Sequence, residues 1–262
     1  MIKHYEGELG TFDYDDEEFK IVKLDEGDTE YLHYIGKGLS VDLPKGCINT
    51  SFMFYSCDLA EGFTLGNNFD TSDVVIMKYM FFNCILPKGF ALGNKFITSN
   101  VMDMKHMFSN CIISEGFTLG NHFDTAKVKN MYAMFAFCDL PKKFTLGNYF
   151  STSNVMNMDF MFASCKLPEG FSLGDKFDTS NVIYMESMFY GCKFPKGFTL
   201  GDKFDTSNVK SMEYMFANCK IHEGFSFGNK FDTSNVIYIQ GMFNQCKFPE
   251  GMTEESLLSS NK

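Results

Sequence analysis

Nine cysteines, 18 methionines and five histidines carry the thiol and metal-binding potential of this 262-residue chain. Eight of the cysteines recur every 27 residues, at Cys57, Cys84, Cys111, Cys138, Cys165, Cys192, Cys219 and Cys246. Such a ladder suggests metal binding, disulfide formation or a set of buried thiols. Metal sites use close ligand pairs such as Cys-x-x-Cys, and the chain has none. Disulfides need converging Cβ atoms, whereas equivalent positions of a repeat point the same way. The expectation is therefore a column of small buried side chains, suited to a reducing compartment. The methionines read as core fillers. His4, His33, His106, His122 and His222 share no motif. No G-x-S-x-G, H-E-x-x-H or phosphate loop occurs. An Asp column (Asp70, Asp124, Asp178, Asp205, Asp232) suggests calcium between coils, but the Gly-rich nonapeptide of calcium-binding rolls is missing. Turn capping is expected instead. The chain is thus expected to be no enzyme, with no catalytic residue, cofactor or metal.

The elements behind this ladder come from the repeat. Each column cysteine follows a Met-Phe pair, from Met53-Phe54 to Met242-Phe243. The unit reads F-D-T-S-N-V-x-x-M-x-x-M-F-x-x-C-x-L-P-x-G-F-x-L-G-N/D-x, and a period of this length signifies a stacked array. Val182, Met185, Met188, Phe189 and Cys192 share an arc of roughly 120° at ~100° per residue. This predicts a three-turn helix with Ser180 as its N-cap. Phe171 and Leu173, two apart, predict a short strand. Pro168 separates the two, and Gly174-Asp175 turns the chain. The expected fold is an α/β solenoid, a leucine-rich-repeat-like right-handed array with one short strand and one short helix per coil. Residues 39–251 form the solenoid, and 39–57 are a degenerate first coil with Cys47 in the Val column and Thr50 in the first Met column. Residues 1–38 are an acidic N-terminal cap, a hairpin of Phe19–Leu24 with Tyr31–Ile35 around a turn at Asp25–Asp28. Residues 252–262 are a C-terminal cap, with Thr253 starting a short helix.

The runs FDTSNVIYMESMFYGC (177–192) and FDTSNVKSMEYMFANC (204–219) resemble repeats of the BspA-like leucine-rich-repeat family. The resemblance covers about residues 47–249. It implies a repeat fold, and the family's place among bacterial surface proteins implies an adhesin-type role. The chain departs from the family in two ways. P-x-G-F-x-L-G replaces the usual leucine-rich strand, and no anchoring signal is visible.

Net charge is −10 and uneven: residues 1–46 hold 12 acids against 5 lysines. Asp13, Asp15, Asp16, Glu17 and Glu18 form a candidate acidic patch. The chain has no arginine, so direct nucleic-acid binding is not expected. No apolar run reaches ~18 residues, so no membrane insertion is expected. A secretory start is absent, which points to the cytoplasm, or to the cell surface if a signal segment was removed. A column of alternating sign (Glu61, Lys88, Glu115, Lys142, Glu169, Lys196, Glu223) is expected to pair along the array. The Thr column (71, 98, 125, 152, 179, 206, 233) is expected to form a hydrogen-bonded ladder.

On the outer side of the expected helices stand Val75, Met102, Met156, Ile183 and Ile237, then Tyr79, His106, Phe160 and Tyr214, flanked by Phe82 and Tyr190. A contiguous apolar stripe marks an interface. The leading functional expectation is a non-enzymatic scaffold that binds a protein partner or a second copy of itself. One alternative is a surface adhesin or host-ligand-binding protein. The other is a mobile-element inhibitor, an acidic decoy of a host nucleic-acid-binding or defence protein.

Overall fold

The computed structural model describes residues 1–24 and 29–259. The expected turn Asp25–Asp28 and residues 260–262 of the C-terminal cap lie outside the described residues. The chain opens with two antiparallel hairpins. β1 (Ile2–Gly7) pairs with β2 (Gly10–Asp15), and β3 (Phe19–Lys23) pairs with β4 (Glu30–Tyr34). The sequence reading found the second hairpin and missed the first. Leu9, Phe12, Phe19, Leu32 and Tyr34 are buried under these hairpins. Gly10 and Gly46 face each other where the first hairpin meets the array. A Cβ on Gly10 would lie 2.1 Å from the Gly46 carbonyl oxygen, and one on Gly46 would lie 2.3 Å from that of Thr11. Both glycines also have positive φ, 117° and 98°, so this close approach excludes any side chain.

Beyond the hairpins, successive repeats lie on one another in parallel. β5 (Ser40–Val41) pairs with β6 (Thr64–Leu65), and β7 (Ile85–Leu86) pairs with β8 (Ile112–Ile113). The longest ladder passes through Asn49, Ile76, Asp103, Asn130, Asn157, Tyr184 and Ser211 to Tyr238, each bridged to the next, 27 residues on. A second runs from Asp139 through Lys166, Lys193 and Lys220 to Lys247. The Phe-x-Leu segments are bridged in few repeats, such as Thr199 to Ser226. Phe171–Leu173, expected as a strand, is assigned none. Among the described residues the one α-helix is α1 (Glu254–Ser259). Thr253 caps it: its hydroxyl accepts from the Ser256 amide at 3.1 Å, and its own amide donates to Ser256 Oγ at 2.9 Å.

The helix expected over Val182–Cys192 is not formed; the segment is a bridge followed by turns. Its amides divide into two sets. Met185, Ser187, Phe189 and Gly191 donate to carbonyls of the next repeat, those of Ser211, Glu213, Met215 and Ala217. Met188, Tyr190 and Cys192 donate within the segment, to Met185, Ser187 and Phe189. A helix would send every amide to the carbonyl four residues back. Here Ser187 and Gly191 take positive φ, 52° and 67°. A left-handed residue every fourth position makes side chains alternate two in and two out. That period of four is close to 3.6, which explains why the spacing imitates a helix. Ser180 accordingly caps no helix; its amide donates to Asp178 Oδ1 at 2.9 Å.

The motif D-T-S-N-V has a part for each polar residue. Asp accepts the amide two residues on, as Asp70 does from Ser72 at 3.0 Å. That bond holds the Asp70 carboxyl below its usual range. Thr donates forward to the next repeat: Thr152 Oγ1 reaches the Asp178 carbonyl at 2.8 Å. Asn donates backward: Asn181 Nδ2 reaches the Ser153 carbonyl at 2.7 Å. Val, the two Met, Phe and Cys fill the core. Phenylalanine rings stack at each step, as Phe108, Phe135 and Phe162 do at 5.6 and 5.7 Å with interplanar angles of 5° and 7°.

Two substitutions test this packing from opposite sides. Phe135→Ala is expected to lower unfolding stability by about 3–5 kcal/mol, the cost of truncating a stacked core ring. Phe137 is 60% exposed at φ 61°, a conformation that bulky residues resist. Asn occupies the same place at Asn83, Asn110 and Asn218, so Phe137→Asn is expected to raise stability by about 1 kcal/mol. Denaturant titration measures both, and a destabilised Phe137→Asn would contradict the left-handed corner.

Candidate interaction face

The left-handed residue in the middle of each turn segment sets which side chains reach the surface. It is Phe52, Tyr79, His106, Ala133, Phe160, Ser187 or Tyr214, at φ between 51° and 59°. Stacking aligns them into a row. The Phe52 and Tyr79 rings lie 4.6 Å apart at 8°, and Tyr79 and His106 lie 4.6 Å apart at 17°. Tyr132 carries the row onward, 5.1 Å from His106 and 5.6 Å from Phe160. Tyr31 of β4 joins it at the other end, 5.1 Å from Phe52. Phe82 lies beside it, 5.5 Å from Tyr79 and 5.8 Å from His106, and stacks on Tyr55 at 5.4 Å.

Of the expected stripe, the structure thus gathers Tyr79, Phe82, His106 and Phe160 into one half-buried aromatic row. Met156 and Ile183 line a separate shallow groove of about 570 Å³ with Lys129, Asn154, Asn181, Asn208 and Lys210. Met102 is exposed and Val75 half-buried in that same column. Tyr190 and Tyr214 are exposed and make no ring contact with the row. Ile237 is 65% exposed on the last repeat. The stripe was placed on the outer side of a helix; it lies instead on the corners of tandem turns. Phe52 and Tyr55 lie in the degenerate first coil, at the offsets of Tyr79 and Phe82, and were missed because the stripe was read only from Val75 onward. Tyr132 was missed because it stands one position before the corner, in a column otherwise charged or polar. The signal for Phe52 and Tyr55 was the column itself, since each is an aromatic residue in register with another, Tyr79 or Phe82; Tyr132 had no such signal.

Charge along this face is ordered too. Tyr132 shares its column with Lys78 and Lys105 before it and Asp159, Glu186 and Glu213 after it. Lys105 Nζ sits 4.8 Å above the Tyr132 ring, and Lys78 Nζ lies 3.3 Å from Asp103. Among the described residues no cation stands within ion-pair distance of Asp159, Glu186 or Glu213. Burial pushes the Asp159 carboxyl up to about 6, against the Glu186 amide, which donates to it at 2.7 Å. Burial, with Lys105 beside it, takes His106 down to about 4. Its Nδ1 is buried without a hydrogen-bond partner.

The other expected sites fare differently. All nine cysteines are free thiols. The inner ones donate to a phenylalanine carbonyl of the preceding repeat, as Cys138 does to Phe108 at 2.9 Å, and burial pushes Cys138 up to about 12. The acidic patch is largely engaged within the first hairpin. Asp13 lies 2.7 Å from His4 Nδ1, Asp16 lies 2.9 Å from Lys3 Nζ, and the Met1 amine reaches Asp15 and Asp16. Glu17 is exposed and Glu18 half-buried. The alternating column from Glu61 to Glu223 forms no ion pair among the described residues, so its expected pairing fails. Each long exposed side chain gains more from solvent and rotamer freedom than from a screened surface contact. Lys88, Glu115, Lys142 and Glu169 instead rim a groove of about 900 Å³ floored by Ile113, Leu140, Pro141, Leu167 and Pro168. Pro141 has no amide to donate, and the second ladder is unbridged between Ile112 and Asp139.

His106 provides a pH test of the row. Its folded value is depressed below the ordinary 6.5, so the unfolded chain binds the extra proton as pH falls. Stability present above pH 6.5 is then lost toward pH 4. His106→Phe keeps a ring in the stack and removes this loss. Its melting temperature is expected to fall less than that of the wild type between pH 7 and pH 4. An equal fall in both proteins would contradict a half-buried, neutral His106.

Among the described residues no helix is long and apolar enough to cross a membrane. No curated protein matches the chain, and no solved structure matches it. A family model, described as "Mycoplasma protein of unknown function, DUF285", matches residues 48–170 and again residues 169–254. The two matches together cover the stacked repeats that carry the aromatic row, and the chain belongs to this family.

Proposed function

We propose that the chain is a non-enzymatic solenoid scaffold that binds protein through its aromatic face. The observation that carries this reading is the row Phe52, Tyr79, His106, Tyr132 and Phe160, linked ring to ring across five repeats. Aromatic residues on a rigid backbone lose little entropy when a partner covers them, and such residues dominate binding energy at interfaces. The exposed Met102 and Met156 and the half-buried Ile183 extend the apolar surface to one side. Kinship with BspA-like leucine-rich repeats is part of the same proposal, carried by the F-D-T-S-N-V runs. A cytoplasmic scaffold agrees with nine unpaired thiols. An acidic decoy is less favoured, because Asp15 and Asp16 already contact the Met1 amine and Lys3, and Asp13 contacts the His4 ring.

Photo-crosslinking tests the reading. A benzoylphenylalanine at Tyr79 or Phe160 is expected to form protein adducts in cells that make the chain. The same probe at the exposed Thr145, on the Phe-x-Leu side, is expected to form few. Absence of adducts from the face, or equal yield at Thr145, would contradict it.

A further inference from the structure

Over five repeats, two columns of the aromatic face are symmetric about the same one; beyond that window Glu213 stands opposite Ser51 and Ala217 opposite Tyr55, outside the symmetry. In the column of Tyr132 the order is Lys78, Lys105, Tyr132, Asp159, Glu186, so charge reverses about the centre. In the column of Ala136 the order is Phe82, Ser109, Ala136, Ala163, Tyr190: large, three small, large. The small centre is packed flat, with Ala133, Ala136 and Ala163 buried together beside Tyr132 and Phe160. Tyr190 stands exposed and Phe82 half-buried, each two repeats from Ala136. Equivalent residues lie 27 apart, so each column is centred on the repeat holding Tyr132 and Ala136.

We propose that this face binds a second copy of the same chain, the two arrays running antiparallel about a two-fold axis that lies in the face and crosses it at Tyr132. This rests on the reading of the face as a protein-binding surface and names its occupant. The operation places each column against itself with its order reversed. Lys78 meets Glu186 of the second copy, and Lys105 meets Asp159 of the second copy. Each contact occurs twice, as a two-fold interface requires. The carboxylates of Asp159 and Glu186, which have no cation within ion-pair distance among the described residues of their own chain, gain one. Phe82 and Tyr190 approach each other on both sides of the small centre. A parallel pairing would instead set lysine against lysine and carboxylate against carboxylate within this column. A stable dimer buries about 800 Å² per partner, so the whole face takes part rather than one groove.

Sedimentation velocity on purified full-length chain tests this with a charge swap. Wild type is expected to dimerise, more weakly as salt rises from ~0.1 to ~1 M. Lys78→Glu and Glu186→Lys each create two like-charge contacts per dimer. Each variant alone is expected to dissociate roughly tenfold more readily or worse. An equimolar mixture of the two restores both pairs and is expected to dimerise like the wild type, which also shows that both variants are folded. A monomeric wild type, variants that dimerise unchanged, or a mixture that stays monomeric would each overturn the antiparallel dimer. A monomeric wild type together with face adducts to a different protein in cells overturns the dimer and leaves the scaffold reading standing. A monomeric wild type without any face adduct removes both.

Discussion

The structure depends on one division of labour among backbone amides. In each segment from Val to Cys before the last, alternate amides bond the next repeat while those between close turns within their own. Neither set suffices alone. Tandem turns without the outward bonds would lack a partner for half their polar groups, and burial without partners is costly. The outward bonds need their donors aligned along the array, and a left-handed residue every fourth position supplies that alignment. The strain of placing Tyr, Phe or Ser in that conformation, about 1–2 kcal/mol per residue, is offset by the core that the turn directs inward. Val, Met, Phe and Cys of every inner repeat are almost wholly buried.

This arrangement separates what must stay constant from what can vary. The core columns and the Asp, Thr and Asn of the motif each bond or pack against a neighbour 24–30 residues away or within their own turn. The corner positions only have to tolerate a positive φ. They hold Phe, Tyr, His, Ala and Ser in turn, and so the pattern on this face is free to vary without disturbing the stack. A palindrome of size and a reversal of charge centred on one repeat are not demanded by stacking. Like charges stacked one above another repel; Glu186 adds to the raised pKa of Asp159, which is due first to burial.

Much of the fold was legible because a 27-residue period declares stacking before any element is assigned. The core columns, the Thr ladder, the β3–β4 pairing and the Thr253 cap could all be read from residue type and register. The helix could not be told from tandem turns, since a two-in, two-out pattern of period four and a helix of period 3.6 bury nearly the same positions over eleven residues. Composition gave one hint: glycine at Gly191 and Gly241, where the left-handed corners fall. The aromatic row was half visible. Tyr79, His106 and Phe160 stood out by offset; Phe52 emerges when the first coil is read down the same column, and Tyr132, in a column of charged and polar residues, only from its ring contacts. The first hairpin was missed because its β1 strand, Ile2–Gly7, alternates too weakly to declare a strand.

Far-UV circular dichroism tests the central claim most directly. If alternate amides leave each segment for the next repeat, helix among the described residues is confined to α1, six residues. The spectrum of the folded protein is then expected to lack the paired helical minima and to show a single band of β and turn character. A helix over Val182–Cys192 and its equivalents in the other repeats would put over a quarter of the chain into helix. A spectrum with that helical content would contradict the amide arrangement, and with it the corners on which the face is built.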